Sequence, residues 1–329
     1  MIISQTPLRI SLCGGGTDLK DYYQHNEGFV VSAAIDKYVF VVVKERFDDL
    51  IYVDYTKKEI VNSIEEIQHE LVREAAKKSG MKNGFEVSML ADIPSEGSGL
   101  GSSSSMIVGL LNAFYNFQGI QVCAKQLAED ACEIEIDILG KPIGKQDQYI
   151  AAFGGLSSFK FNHDDSVDVE KVTMNNGLSR KLCSNLLLFF TNVTRKSSSI
   201  LSEQRANINL NREFHDRIKD LAIVTYDYLN KGKIDKIGDI LNENWELKKK
   251  LSSNISNELI DKMYIKALEG GASGGKISGA GGGGFLLCYC KRNFQDRLRD
   301  SMAEYREMPF LFESHGSKII FNYMRYNWK

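Results

Sequence analysis

One segment of the chain, residues 94–105, places three glycines close together before a run of four serines. It reads Pro-Ser-Glu-Gly-Ser-Gly-Leu-Gly-Ser-Ser-Ser-Ser, and an apolar segment of helical character, 106–117, follows it. Glycines let backbone N–H groups approach an anion without an intervening Cβ, and serines at the start of a helix can cap it. Because the first amides of a helix favour negative charge, the pattern predicts a phosphate-binding loop.

Two other glycine-rich segments, 12–18 and 276–284, lie far from this loop in the sequence. We expect the three to form one site. The loop lacks the Lys that a Walker A motif requires, which disfavours a P-loop NTPase. The segment 279–284 satisfies Gly-x-Gly-x-x-Gly, but a strand-like run, 285–289, follows where a dinucleotide-binding unit needs a helix. We therefore exclude a Rossmann unit.

The composition is that of a soluble globular protein, with 43% hydrophobic and 26% charged residues. A length of 329 residues is too long for one small core and fits one large domain or two ordinary ones, of which we expect two. No segment offers the roughly 20 apolar residues of a membrane span, and the N-terminus is typical of a first strand rather than of a secretory signal. We expect a cytoplasmic protein that does not bind membranes.

The cysteines and the charge exclude two further classes of site. Six cysteines form no Cys-x-x-Cys pair and have no histidine spacing suited to zinc, so they are expected to be reduced thiols, with Cys288 and Cys290 as small core residues. A net charge of −2 does not indicate the excess of basic residues that is typical of nucleic-acid-binding proteins. The lysine run 248–250 is interpreted as a solvated helix face. The sequence leaves the oligomeric state open.

Strand-like and helical segments alternate along the chain. Strands are predicted at 29–44, 85–90, 285–289 and 318–323, and helices at 63–79, 124–139, 200–230 and 234–251. This order indicates an α+β fold with mixed sheets. The polar stretch 162–180 is either an interdomain connection or a hairpin with a long loop, and we divide the chain into residues 1–180 and 181–329.

The three glycine-rich segments carry a family resemblance. Together with Pro7-Leu8-Arg9-Ile10-Ser11-Leu12, which precedes the first of them, they resemble the three ordered motifs of the GHMP kinases. Within that family, Gly-Gly-Gly-Thr-Asp at 14–18 and the run 143–149 most resemble the D-glycero-D-manno-heptose 7-phosphate kinases. The resemblance implies an N-terminal domain like ribosomal protein S5 domain 2, a ferredoxin-like C-terminal domain, and phosphoryl transfer from ATP to a sugar hydroxyl with Mg²⁺.

The resemblance also implies roles for individual residues. Asp147 and Arg9 are the expected catalytic pair, and Ser103 and Glu135 the expected Mg²⁺ ligands. The expected ATP-binding residues are Pro94, Gly97, Ser98, Gly99, Leu100, Gly101, Ser102, Ser103 and Ser104. The expected sugar-binding residues are Gly15, Gly16, Thr17, Asp18, Gly281 and Gly282.

Several of these roles have alternatives. Glu133 and Asp137 compete with Glu135 for the metal, and the serine register also allows Ser104. Asp147 could instead be a surface helix cap, Arg9 a member of a strand-end salt bridge, and Asp18 a turn former.

A phosphorylated sugar would also need a cation at the far end of its pocket. Arg195 is the candidate, because a guanidinium presents a planar fork to phosphate. An exposed Arg-Lys pair at a helix start is the ordinary explanation, with Lys145 and Lys196 as other candidate cations.

The resemblance implies an ATP-dependent kinase that acts on the anomeric hydroxyl of heptose 7-phosphate and yields the 1,7-bisphosphate, toward nucleotide-activated heptose for surface polysaccharide. One alternative is a kinase for an unphosphorylated sugar such as fucose, galactose or arabinose. Another is a catalytically silent sugar- and nucleotide-binding regulator. The presence of Asp147, Glu135, Ser103 and Arg9 argues against a silent protein.

Overall fold

The computed structural model describes residues 1–93, 97–194 and 197–323, and within them strands and helices alternate along the chain. The strands are β1 (Ile2–Cys13), β2 (Gly28–Glu45), β3 (Ile51–Asp54), β4 (Lys58–Val61), β5 (Phe85–Ala91), β6 (Leu156–Phe161), β7 (Val167–Lys171), β8 (Leu186–Phe190), β9 (Gly274–Ile277), β10 (Phe285–Tyr289) and β11 (Lys318–Asn322). The helices are α1 (Lys20–Asn26), α2 (Glu70–Lys78), α3 (Ser102–Phe117), α4 (Ala124–Cys132), α5 (Gln146–Phe153), α6 (Asn176–Ser184), α7 (Ser197–Ala206), α8 (Arg212–Asn230), α9 (Ile237–Lys248), α10 (Glu258–Glu269) and α11 (Gln295–Ser301). None of these helices is long and apolar enough to cross a membrane.

The larger sheet has the strand order β11-β1-β2-β5-β3-β4, and β6 pairs with both β2 and β7. All of its pairings are antiparallel except that between β3 and β5. The long strand β2 is rich in β-branched and aromatic residues, which suit a pleated, half-buried surface. Helix α3 lies close against this sheet, because Gly109 leaves room for Thr6 Oγ1. This packing sets the N-terminus of α3 beside the middle of β1.

The smaller sheet is antiparallel, with the strand order β8-β10-β9. A bridge from Phe189 to Glu307 extends its β8 edge. Its core includes Trp245, Leu286 and Cys288, all of which are fully buried. The predicted α+β fold with mixed sheets is thus confirmed.

The end of the chain returns to the larger sheet. Strand β11 pairs with β1, and the backbone amide of Glu313 donates to the carbonyl of Ala34. The division into residues 1–180 and 181–329 stays a prediction, but strand pairing assigns β11 to the larger sheet.

Some predicted elements differ in detail. The predicted helix 124–139 is α-helical as far as Cys132 and then continues as a π-helix, Glu133–Ile138, and the predicted helix 200–230 is two helices separated by residues 207–211. Of the predicted helix 63–79, only α2 is α-helical, after a 3-10 turn at Ile64–Glu66. The stretch 162–180 contains the turn of the β6–β7 hairpin, strand β7 and the start of α6.

The prediction for the lysine run was wrong at one position. Lys248 is only 7% exposed, whereas the run 248–250 was expected to lie on a solvated helix face. Lys248 is the last residue of α9, and Lys249 and Lys250 follow that helix, so the three side chains point in different directions and only Lys248 is buried. The expectation for the cysteines holds, since all six are free and Cys288 and Cys290 are buried.

Candidate active site

The three glycine-rich segments meet in one cavity of about 450 Å³. Glycines from each of them line it: Gly15 and Gly16, then Gly97, Gly99 and Gly101, and finally Gly279, Gly281 and Gly283. The second and third segments touch through their backbones, because a Cβ on Gly99 would overlap the carbonyl of Ser278. This confirms the prediction of one site assembled from distant parts of the chain.

The segment 97–101 is held in a conformation that suits glycine. Gly97, Gly99 and Gly101 have φ values between 71 and 78°, a left-handed region that costs other residues about 1–2 kcal/mol. Gly101 is the N-cap of α3, so the first amides of that helix, beginning at Ser102, have no carbonyl partner within the helix. The loop and the helix start therefore present backbone donors to the cavity.

Glu135 is a buried carboxylate in the cavity wall. It accepts hydrogen bonds of 2.7 Å from Ser103 Oγ, Ser104 Oγ and Gln148 Nε2, and Lys141 Nζ lies 3.4 Å from it. Glu135 lies in the π-helix, and residues two apart on a helix point in different directions, so Glu133 and Asp137 do not share its orientation.

The competing carboxylates face away from the cavity. Glu133 is exposed and pairs with Lys78, and Asp137 is exposed. Glu135 alone of the three lines the cavity, and both candidate serines contact it.

Asp147 and Arg9 form a two-pronged ion pair at the cavity. Arg9 Nε donates to Asp147 Oδ1 over 2.7 Å, and Nη2 donates to Oδ2 over 2.6 Å. The third guanidinium nitrogen, Nη1, donates to the carbonyl of Gly99 over 2.5 Å. Arg9 is almost fully buried, whereas the Asp147 side chain is 23% exposed. Arg9 thus fixes Asp147 beside the glycine-rich loop and leaves part of its carboxylate accessible.

Asp18 closes the first glycine-rich segment. Its Oδ1 accepts from the amide of Gly16 over 2.9 Å, and its Oδ2 accepts from the amide of Gln146 over 3.1 Å. Gly144 packs so closely that any Cβ there would overlap the Asp18 carboxylate. Burial raises the pKa of Asp18 above its usual range. The first segment is thereby joined to the residues that precede Asp147.

Some predicted site residues do not reach the cavity. Thr17 Oγ1 donates to the carbonyl of Gly14 and accepts from the amide of Phe29, so it fastens the turn to β2. Leu100 is buried in the core, and the amide of Gly282 donates to the carbonyl of Ile255. These three residues do not line the cavity, and their contact with a ligand stays a prediction.

Three candidate residues lie outside the described residues, namely Pro94, Arg195 and Lys196. Lys145 does not line the cavity and instead pairs with Asp165 over 2.8 Å. The remaining predicted residues, including Ser98 and Ser102, line the cavity wall.

Two buried lysines in the cavity wall were missed by the sequence analysis. Lys248 donates to the carbonyls of Ile277 and Gly279, and Lys276 Nζ lies 3.4 Å from the carbonyl of Leu12. Neither has a carboxylate within 4 Å in the described part of the chain. Burial lowers the pKa of Lys276 to about 8 and that of Lys248 well below its usual range. Buried lysines without a carboxylate partner, beside glycine-rich loops, indicate a site where a multiply charged anion would stabilise their protonated form.

Comparisons with known proteins agree with this geometry. The family described as "GHMP kinases N terminal domain" matches residues 62–155, and "GHMP kinases C terminal" matches 225–306. A D-glycero-alpha-D-manno-heptose 7-phosphate kinase of Campylobacter jejuni is 32% identical, over 95% of this chain and 97% of that protein. The chain belongs to the GHMP kinase family.

Two solved structures show how far the similarity to other GHMP kinases extends. A D-glycero-D-manno-heptose 1-phosphate kinase from Bacteroides thetaiotaomicron superposes with a TM-score of 0.83 at 27% identity, over 98% of this chain and 100% of its own. A putative sugar kinase from Campylobacter jejuni superposes with a TM-score of 0.78 at 29% identity, over 97% of both chains. The two-domain GHMP kinase fold is therefore that of the whole chain.

Proposed function

We propose that this GHMP-family sugar kinase transfers the terminal phosphoryl group of ATP to the anomeric hydroxyl of D-glycero-D-manno-heptose 7-phosphate, yielding the 1,7-bisphosphate. The observation that carries the proposal is the Asp147 carboxylate, which Arg9 holds at the cavity beside the glycine-rich loop. The name of the Campylobacter jejuni relative and the resemblance of 14–18 and 143–149 to heptose 7-phosphate kinases support the choice of sugar.

The glycine-rich loop would bind the phosphates of ATP. Backbone donors at the start of α3 and the helix dipole favour negative charge there. Lys248 and Lys276 add two buried ammonium groups to the same wall, which would balance the charge of the polyphosphate. These groups are fixed before the nucleotide arrives, so they need little reorganisation during transfer.

Glu135 and Ser103 would hold Mg²⁺. Their oxygens suit a cation that prefers oxygen ligands, and no cluster of three or more His, Cys, Asp or Glu side chains among the described residues offers another metal site. When bound, Mg²⁺ would supply positive charge that offsets the negative charge of the phosphate groups. Ser104 and Gln148 keep the Glu135 carboxylate in place through their hydrogen bonds.

Asp147 would act on the attacking hydroxyl. During transfer the sugar oxygen bonds to the terminal phosphorus, the bond from that phosphorus to the ADP oxygen breaks, and the hydroxyl proton passes to the Asp147 carboxylate. Since a carboxylate is a weak base for an alcohol, orientation of the hydroxyl is its main contribution and proton transfer comes late. Arg9 supports this role by fixing both carboxylate oxygens.

The phosphate already on the sugar needs a separate cation. Arg195 remains our proposal for it, since Lys145 is engaged with Asp165. We also propose that the enzyme works in the cytoplasm, where thiols stay reduced, because all six cysteines are free.

The proposal is tested by measuring ADP release from ATP and Mg²⁺ with heptose 7-phosphate, fucose, galactose and arabinose. We expect turnover with heptose 7-phosphate and little with the others. Asp147→Asn should lower kcat by about 10²–10⁴-fold and leave the Kd for ATP unchanged. Asp168→Asn, at an exposed strand position, is the control and should behave like the wild type. Turnover with a free sugar alone would overturn the heptose assignment and leave the kinase assignment standing.

A further inference from the structure

Three buried polar atoms belong to residues of the cavity wall and have no hydrogen-bond partner. Ser11 Oγ, Gln204 Nε2 and Ser278 Oγ are three of the six such side-chain atoms in residues 1–93, 97–194 and 197–323. A buried polar atom without a partner costs free energy, so native proteins satisfy nearly all of them. Their concentration at one cavity indicates that a bound ligand supplies the missing partners.

Gln204 lies on the side of the cavity that the first glycine-rich segment forms. Its helix, α7, is anchored there by an ion pair of 2.5 Å between Arg205 and Asp21. Just beyond the helix, Ile208 packs with Leu19 and Tyr22. Gln204 thus lines the cavity from a helix that is fastened to the residues just after the first glycine-rich segment.

Ser11 lies on the same side. It follows Arg9 by two residues on β1, and a Cβ on Gly15 would be 3.7 Å from its Oγ. Ser278 belongs to the third glycine-rich segment, and its carbonyl touches Gly99 of the phosphate loop. The three unpartnered atoms therefore divide into two groups: Ser11 and Gln204 lie toward the first glycine-rich segment, where we expect the sugar, and Ser278 lies beside the phosphate loop.

We propose that Ser11 and Gln204 are specificity-determining residues that form hydrogen bonds with hydroxyl groups of the acceptor sugar. This assignment rests on the proposed function, because it takes the acceptor to be a sugar. A side-chain amide nitrogen only donates, so its partner is an oxygen that accepts. A serine hydroxyl both donates and accepts, as a sugar hydroxyl does. Sites built in this way reject analogues that lack the hydroxyl, because the buried protein group is then left unpaired.

Gln204→Met and Ser11→Ala test this assignment, because each removes the polar atom and nearly keeps the shape. Each should raise the KM for the sugar about three- to tenfold, which is the loss of one neutral hydrogen bond, and leave the KM for ATP unchanged. Without ligands, the Tm of each variant should equal or exceed that of the wild type, since an unsatisfied polar atom is gone.

Gln295→Met is the matched control. Gln295 is 4% exposed and Gln204 is 2% exposed, but Gln295 Nε2 donates to the carbonyls of Ser184 over 2.6 Å and of Cys290 over 3.0 Å. The same substitution should therefore lower the Tm there and leave both KM values unchanged.

The failures of the two proposals are distinguishable. If the wild type releases no ADP with any sugar, the proposed function and this assignment fail together. If the wild type is active and both variants keep its KM for the sugar, this assignment alone fails. A lower Tm of Gln204→Met with an unchanged KM would identify the amide as structural, and a raised KM for ATP alone would place it on the nucleotide side.

Discussion

The buried Lys276 links the charge of the cavity to the stability of the free enzyme. In the unfolded chain its pKa is near 10.4, whereas burial lowers it to about 8 in the fold. Between these values the unfolded chain binds more protons, so the contribution of this group to the free energy of unfolding rises with pH. Below pH 8 the lysine is protonated in the folded protein, and the burial of its charge then lowers the free energy of unfolding by the full amount.

Lys276→Met removes that cost. At pH 7 the ligand-free variant should be more stable than the wild type by on the order of 3 kcal/mol, and the difference should vanish as the pH rises toward 10.4. Urea unfolding at several pH values measures it. Lys57→Met, at an exposed position, should show no such slope. A constant difference between wild type and Lys276→Met would contradict a lowered pKa.

Glu135 and Glu133 provide a paired test of the metal site. Glu135→Gln should raise the Mg²⁺ concentration needed for half-maximal turnover, because the amide is a poorer ligand for Mg²⁺ than the carboxylate. Glu133→Gln should leave it unchanged, since its side chain points away from the cavity toward Lys78. The opposite order of effects would reverse our assignment of the ligand.

At the level of residues, motifs predicted the centre of the site better than its walls. Asp147, Arg9 and Glu135 follow from the resemblance and line the cavity. Lys248 was misplaced because a run of three lysines has no apolar periodicity that shows which one faces inward. Gln204 carries no motif at all, and only the packing of its helix brings it to the cavity.

At the level of elements, the loop 97–101 depends on its glycines for two different reasons. Gly99 has a left-handed φ and also lies against the backbone of Ser278. Gly119, at the other end of α3, has a similar φ of 75° but no atom within 4 Å of a Cβ built there. Substitution of Gly119 therefore tests the effect of backbone strain alone, whereas substitution of Gly99 adds a steric clash to that strain.

Gly99→Ala should weaken ATP binding more than tenfold and destabilise the fold by more than Gly119→Ala does, because the clash displaces the loop from the third glycine-rich segment. Gly119→Ala should cost about 1–2 kcal/mol of unfolding free energy and leave ATP binding unchanged. Calorimetry with ATP and urea unfolding give the two quantities. Equal effects of both substitutions would show that contact between the segments does not shape the phosphate loop.

Helix and strand positions were predictable wherever a periodic pattern was long. Strands 29–44 and 285–289 were found because β-branched and aromatic residues dominate them. The π-helical turn at Glu133–Ile138 was not found, since its side-chain pattern differs little from that of an α-helix and its hydrogen bonds are decided by packing. Glu135 lies in that turn, and the sequence alone left the choice between three carboxylates open.

At the level of the whole molecule, the connection between the two ends of the chain was not predictable from local patterns. The run 318–323 was recognised as a strand, but its partner is β1, more than 300 residues away. Pairing partners depend on the global topology, which a single strand pattern does not encode. Ser317 reinforces the junction through hydrogen bonds with Thr6 Oγ1 and Asn112 Nδ2.

This pairing makes the larger sheet dependent on the last strand. A chain that ends at Ser317 loses the hydrogen bonds between β11 and β1 and exposes the edge of β1, the strand that carries Arg9. We expect it to have a lower Tm and a reduced kcat, because Arg9 then positions Asp147 less firmly. A chain that ends at Tyr323 keeps every β11–β1 pair and is the reference for both measurements. If the chain that ends at Ser317 unfolded at the same temperature as that reference, β11 would be dispensable and the larger sheet would be complete within residues 1–180.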